Sequence, residues 1–354
     1  MSTAVEADPQ SAQDASFDDN ATRYPLPSFA ATDGDARLTC LSSPLHSCAI
    51  FSPSVALGVQ EYIFENGRRY HSYFGVDKYL MPTDEREQER MDIAHEMFFS
   101  LFDGQLHKAP LADNPQNILD VGTGTGIWAV DMADKHPGAM VLGIDLSPIQ
   151  PTWIPDNCRF EIDDAEREWA YSLNTFDLIH IRNLDQGIRN WPKVLAEASR
   201  CLKPGSYLEL SETSVIFQCD DGTMTKDTPA YRWSALMEEA MAKAGRPAIR
   251  QGQLEQRLKD AGYEDIHAFS LKLPFGPWTK EQQLKALGWM ALLGVNSAFQ
   301  AYGMAAFTRI LGMSAEEAEK VCSEGLASVK TKRKHVYVYH YVAYGRKPKI
   351  KIEE

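Results

Sequence analysis

Cysteine is sparse in this chain of 354 residues. Its six copies (Cys40, Cys48, Cys158, Cys201, Cys219 and Cys322) are scattered, with no CxxC pair. That spacing excludes the common structural zinc site and the redox dithiol, and it reads as reduced thiols in the cytoplasm or the nucleus. Basic residues are also short: 36 Lys and Arg against 49 Asp and Glu leave a formal charge of −13. Nucleic-acid affinity rests on neutralising phosphates, so general DNA or RNA binding is not expected. The first 20 residues are acidic (Glu6, Asp8, Asp14, Asp18, Asp19) and lack the apolar core of a secretory signal. Long apolar runs are missing too. Ala286–Thr308 carries no charge, but Asn296, Ser297, Gln300 and three glycines make it too polar for a membrane span. It reads as a pair of buried helices. No group of His, Cys, Asp and Glu has ligand spacing, so no metal is expected.

What is present has a clear order. Residues 1–45 read as a disordered acidic tail and residues 46–105 as a helical lid segment. Asp84 with Glu87 looks like a capping box, and Met91, Ala94, Phe98 and Leu101 follow on one helical face. From Asn117 the pattern changes to short apolar runs separated by helix-length segments: NILDVG, VLGIDL, RFEIDD, FDLIHI and, after a Pro-Gly turn, SYLELSE. That alternation predicts a mostly parallel α/β sheet with helices on both faces, in a domain spanning 106–354. A helix closed by Gly262, a strand near 264–273, a helical insert over 279–330 and an aromatic strand at 335–345 complete the chain.

The sharpest local signal is ILDVGTGTGIWA, residues 118–129. A strand ends at Val121, a loop holds Gly122, Thr123, Gly124 and Gly126, and a helix starts near Ile127. Glycines there let the backbone turn and approach a ligand closely. The spacing is GxGxG, whereas a dinucleotide site has GxGxxG and offers a pyrophosphate the N–H groups of a helix N-terminus. A nucleoside with an amino-acid arm fits better. Asp120 is placed to meet an ammonium. Asp145, 23 residues after Gly122 and followed by Leu146, is placed to accept from ribose hydroxyls, or else to cap the next helix. Asp164, beside Ala165, can accept from an adenine amine, with Asp163 as its rival.

The series ILDVGTGTG, GIDLS, DDA, FDLIH and LKPGSYLEL resembles the class I S-adenosylmethionine-dependent methyltransferases. ENGRRYHSYFGVDKYLMPTDEREQERMDIAH (65–95) and FTRILGMSAEEAEKV add a narrower resemblance to the LaeA-like fungal methyltransferases. The resemblance implies a Rossmann-like fold with a seven-stranded sheet and S-adenosylmethionine as cofactor. It leaves two roles open: methylation of a small fungal metabolite on oxygen or nitrogen, or nuclear regulation of secondary metabolism with velvet-type proteins. It also implies a lid in which Tyr70, His71 and Tyr73 close over the sulfonium, or else pack the helix on the sheet. His180, near a strand end, is the candidate general base or else a hydrogen-bonded structural residue near the cofactor, with His71 and His340 as other bases and Arg182 and Glu212 as substrate contacts. The basic runs TKRKH (331–335) and RKPKIK (346–351) fit a nuclear-import signal or an anion-binding patch, and a solvated helix end and charged tail explain them equally. The insert 279–330 is expected to cap the crevice together with Tyr62–Phe102.

Overall fold

The computed structural model describes residues 4–8 and 61–349. Cys40 and Cys48 and most of the predicted tail lie outside them. Seven strands form one sheet in the order β5-β4-β3-β6-β7-β9-β8. They are β3 (Asn117–Val121), β4 (Met140–Asp145), β5 (Cys158–Ile162), β6 (Phe176–Arg182), β7 (Leu202–Thr213), β8 (Glu264–Pro274) and β9 (Tyr337–Arg346). The first five run parallel, and β9 lies antiparallel between β7 and β8. The order reverses at β3, so a crevice opens beyond the carboxyl ends of β3, β4 and β6. This is the α/β, Rossmann-like, mostly parallel sheet that the alternating apolar runs predict.

The helices are α1 (Glu85–Leu101), α2 (Ile127–Lys135), α3 (Trp191–Cys201), α4 (Pro229–Lys243), α5 (Gln253–Asp260), α6 (Gln282–Ala305) and α7 (Ala315–Val329). One core cluster seats α2 through Trp128, Ala129 and Met132 on Ile118, Val141 and Leu178. A second seats α3 and α5 through Val194, Leu195 and Leu258 on Leu119, Ile179 and Leu208. The third joins α1, α4, α6 and α7 around Phe98, Trp233, Phe299 and Phe307. The insert between β8 and β9 consists of α6, a π-helical turn at Ala306–Ile310 and α7. Ser314 and Glu317 form a full capping box at the start of α7.

Four expectations need correction. The lid segment is not wholly helical: it begins with an antiparallel hairpin, β1 (Tyr62–Glu65) and β2 (Arg68–His71). Asn66 and Gly67 make its turn with φ of 51° and 71°, the left-handed pair that Asn-Gly favours. At α1 only half of a capping box is made. Asp84 accepts from the Glu87 N–H, while the Glu87 carboxylate turns to the Arg90 guanidinium at 2.6 Å, a stronger partner than a backbone N–H. The Pro-Gly turn before SYLELSE lies inside β7, where the register against β6 shifts after Phe176–Leu202. Finally, residues 4–8 of the acidic tail are placed: Ala7 bridges Thr279, and Lys280 and Lys285 hold Glu6 and Asp8.

Candidate active site

The glycine loop closes on β4, the neighbouring strand. The Gly122 and Thr123 N–H groups both donate to Ile144 O, at 2.8 and 2.9 Å. Gly124 N donates to Asp145 Oδ2 at 2.8 Å, and Gly126 N to Thr123 O at 2.9 Å. These four donors are spent inside the protein, so the loop offers no cluster of free N–H groups to a pyrophosphate. The glycines have separate reasons. A Cβ on Gly122 would stand 2.6 Å from Leu184 Cδ1, and one on Gly126 would stand 2.4 Å from the Phe160 ring. At Gly124 the nearest atom is Met91 Sδ at 3.2 Å, at the lip of the cleft. Gly126 therefore serves packing beneath the loop, and it does not line the cleft.

That cleft measures about 1210 Å³ counted to its open mouth. Asp120, Gly122, Thr123, Gly124, Asp145, Leu146, Asp163, Asp164, Ala165 and Arg182 all line it, so most of the residues singled out from the sequence meet in one place. Asp145 is half-buried at the cleft wall, and the desolvation raises its pKa to about 6 although the N–H groups of Gly124 and Ser147 pull it down. Asp120 accepts Thr123 Oγ1 at 2.7 Å. Burial also raises the Asp163 pKa. Asp164 pairs with Lys78 at 2.7 Å, and Lys78 also holds Glu166 at 2.6 Å.

Three cations line this cleft, and among the described residues Lys78 and Arg90 are paired with carboxylates while Arg182 is not. Arg182 Nη2 donates to His95 Nδ1 at 3.1 Å, which leaves His95 Nε2–H to donate to Asp131 at 2.9 Å. The guanidinium lies 5.2 Å above the Phe98 ring. No carboxylate among the described residues stands within ion-pair distance of it, and burial pushes its pKa below the usual guanidinium value. A half-buried guanidinium with unused donors beside Asp120 is a ready carboxylate site.

His180 does not reach the cleft. It is 1% exposed, its Nδ1 bonds Asp120 Oδ1 at 2.8 Å, and its ring stacks on Trp128 at 3.9 Å. It braces Asp120 from behind, because the register pairs the two residues across β3 and β6. Tyr70 is also displaced from its expected place: it is fully buried in the core, with Arg309 4.6 Å over its ring. Tyr79, which the sequence reading passed over, lines the cleft in its stead. His71 accepts Phe74 N and is held neutral by burial, with a pKa of about 4. His340 sits between Ser211 and Thr213, and burial lowers its pKa to about 3. Glu212 accepts the Leu184 and Asp185 N–H groups at 2.9 and 3.2 Å. It lines only a small adjoining cavity.

A second, mostly apolar cavity of about 760 Å³, again counted to its mouth, adjoins the first. Arg90, Ala94, Phe98, Asn183 and Tyr302 line both. Tyr302 belongs to the insert, on α6, whereas Trp289 lines neither cavity. Among the described residues no group of three or more His, Cys, Asp or Glu is placed to hold a metal ion.

A methyltransferase-domain family model matches residues 84–268. Methyltransferase PytC of Aspergillus terreus is 37% identical over 265 residues, covering 75% of this chain and 81% of its own. The secondary metabolism regulator LAE1 of Cochliobolus heterostrophus is 36% identical over 80% of this chain and 94% of its own. A protein-methionine methyltransferase, LaeA of Emericella nidulans, is 31% identical over 92% and 86%. The chain belongs to the LaeA-like fungal methyltransferases. S-adenosylmethionine is its cofactor. The cleft fits that group in chemistry: carboxylates for hydroxyl and ammonium groups, one guanidinium without a carboxylate partner for a carboxylate, and no phosphate cradle.

Proposed function

We propose that this chain transfers the methyl group of S-adenosylmethionine to a small-molecule acceptor of fungal secondary metabolism, on oxygen or nitrogen. When bound, the cofactor supplies an electrophilic methyl on its sulfonium. Asp145 would hold the ribose hydroxyls, Asp163 or Asp164 the adenine amine, and Asp120 with Arg182 the ammonium and carboxylate of the amino-acid arm. Gly122, Thr123, Gly124, Leu146 and Ala165 would supply the close walls. The protein's part in the transfer is alignment and exclusion of water. His180 then acts through Asp120 as a positioning residue. The hairpin segment and the insert serve as the lid and cap.

One observation carries the choice of a small molecule: the second cavity opens off the first across Asn183 and Tyr302. Its walls are mostly apolar and aromatic side chains with a few polar groups, the lining that organic small molecules use. Incubation with methyl-labelled S-adenosylmethionine and a fungal metabolite extract tests it. Label is expected in the organic small-molecule fraction; label confined to protein would overturn the reading.

A second reading is a regulator that works in a nuclear complex with velvet-type proteins. The hairpin favours it, because Phe64 is 77% exposed at its tip and Tyr73 and Val76 stand out nearby. Phe64→Asp should then abolish co-purification of the partner while leaving S-adenosylmethionine binding intact. The basic runs support an import signal poorly, since Lys334, Arg346 and Lys347 are engaged by Thr223, Asp265 and Asn174. No helix among the described residues is long and apolar enough to cross a membrane.

A further inference from the structure

The second cavity also states what kind of molecule it takes. We infer that it selects an uncharged, flat, ring-bearing acceptor with a hydrogen-bond-accepting oxygen on the edge that faces Asn183. This rests on the methyltransferase reading above and narrows it.

Three observations lead there. The walls are aromatic and soft: Phe98, Phe217, Trp233, Phe275 and Phe299, with Met97 and Met290. Phe217 and Trp233 stack at 5.3 Å, and Trp233 meets Phe299 at 4.5 Å, so the rings present a continuous apolar surface. The single polar atom of Trp233 is already satisfied, donating to Phe299 O at 3.2 Å.

Charge has no partner here. The one charged residue in the lining, Arg90, is held by Glu87, with Nε 3.0 Å from both carboxylate oxygens and Nη2 at 2.6 Å. Its guanidinium lies 5.3 Å from the centre of the Tyr302 ring. Burial opposes the charge on Arg90, and Glu87 beside it more than offsets that. No carboxylate lines the cavity to receive an ammonium, and no unpaired cation lines it to receive an anion. Nothing in the lining compensates the desolvation of an ionised acceptor.

The remaining polar groups leave two open donors, the Tyr302 hydroxyl and the Asn183 amide, both at the junction of the chambers. Ser214 Oγ donates to Ile249 O at 3.0 Å. Thr213 Oγ1 donates to Asn183 Oδ1 at 3.0 Å, and the Thr213 N–H reaches the same oxygen at 3.1 Å. Asn183 Oδ1 is thereby engaged, which fixes the orientation of its amide. Its Nδ2 has no protein partner among the described residues, and Asn183 lines both chambers and the small cavity beside Glu212. Asn183 follows the end of β6 at φ 53°, a left-handed position that Asn tolerates. An oxygen acceptor bound there would lie at the junction with the donor cleft.

The test uses the full chain and the fluorescent ketone 6-propionyl-2-(dimethylamino)naphthalene, which is uncharged, flat and oxygen-bearing. Its anionic counterpart is 1-anilinonaphthalene-8-sulfonate. S-adenosylhomocysteine affinity is measured calorimetrically in the same samples. We expect the ketone to bind with a blue-shifted emission, at least tenfold more tightly than the sulfonate. Gly294→Leu fills the cavity from α6, where the nearest atom to a new Cβ is Ile93 Cγ2 at 3.8 Å. It should weaken the ketone at least tenfold while leaving S-adenosylhomocysteine affinity and the melting midpoint unchanged. Asn183→Asp keeps the oxygen that Thr213 needs and removes the donor, and should weaken the ketone about fivefold, as loss of one hydrogen bond does. Equal binding of sulfonate and ketone, or an unchanged ketone affinity in Gly294→Leu, overturns the inference. If S-adenosylhomocysteine fails to bind the wild-type chain, the methyltransferase reading falls instead.

Discussion

The two chambers share a wall but are built on different principles. The donor cleft is made of strand ends and loop backbone: β3, β4 and β6 all finish at its edge, and each delivers a carboxylate or a guanidinium there. The second chamber is made of side chains from α1, α4, α6 and β7, brought together by packing. A site fixed by topology varies little once the sheet is formed, whereas a site fixed by helix packing can change with single side chains. That contrast predicts that donor-side variants will act strongly on the cofactor alone, and acceptor-side variants more mildly on the acceptor alone.

The largest effect is expected at Asp145. Each hydrogen bond to a charged acceptor is worth roughly 1.5–3 kcal/mol, so losing both ribose contacts in Asp145→Ala should lower S-adenosylmethionine affinity about 100-fold or more. Gly124→Ala should act in the same direction, since its Cβ would enter the cleft next to Met91. Calorimetric titration of folded variants is the measurement, and unchanged affinity would remove the site.

Arg182 comes next. Arg182→Met is expected to cost roughly 30-fold in cofactor affinity, the size of one charge-assisted contact. A decarboxylated cofactor analogue separates this role from a structural one, because it should bind wild type and Arg182→Met alike. His95→Leu, which removes the partner that orients the guanidinium, should show the same pattern more weakly.

The same contrast explains what could be read from the residues. The loop, Asp120 and Asp145 are legible because their spacing is local and the parallel topology dictates which strand ends meet. His180 was legible only as one of two roles, a base or a structural residue: it stands two residues short of the end of β6, beside Asp120 in register, while Arg182 on the same face reaches the strand end and lines the cleft. Gly126 shows a further limit: a glycine that admits a ligand and one that admits Phe160 look alike in sequence. The hairpin was signalled by Asn66-Gly67. Helix α4 was signalled too, by Pro229 at its first turn and buried Ala230, Trp233, Met237, Ala240 and Met241 on one face. The second chamber had no such signal. Ala94, Trp233 and Tyr302 become neighbours only through the packing of the third core cluster.

The smallest effect, and the most direct contrast between the chambers, is with pH. Asp145 has its pKa raised to about 6 by burial, and only its ionised form offers two acceptors to a pair of hydroxyls. Proton and cofactor therefore compete: affinity should be full above pH 7 and fall as pH drops through 6. At pH 5 only about a tenth of the carboxylate is ionised, which corresponds to roughly a tenfold loss. The second chamber behaves differently, because its one charged lining residue, Arg90, stays protonated throughout that range under the hold of Glu87. Binding of the uncharged ketone should be flat from pH 5 to 7.5. Calorimetry with S-adenosylhomocysteine and fluorescence titration with the ketone, run on the same protein at pH 5, 6 and 7.5, separate the two. A flat cofactor profile would mean that Asp145 is not the ribose acceptor. A ketone profile that falls with the cofactor's would mean that the chambers are one site, and that the division drawn across Asn183 and Tyr302 is wrong.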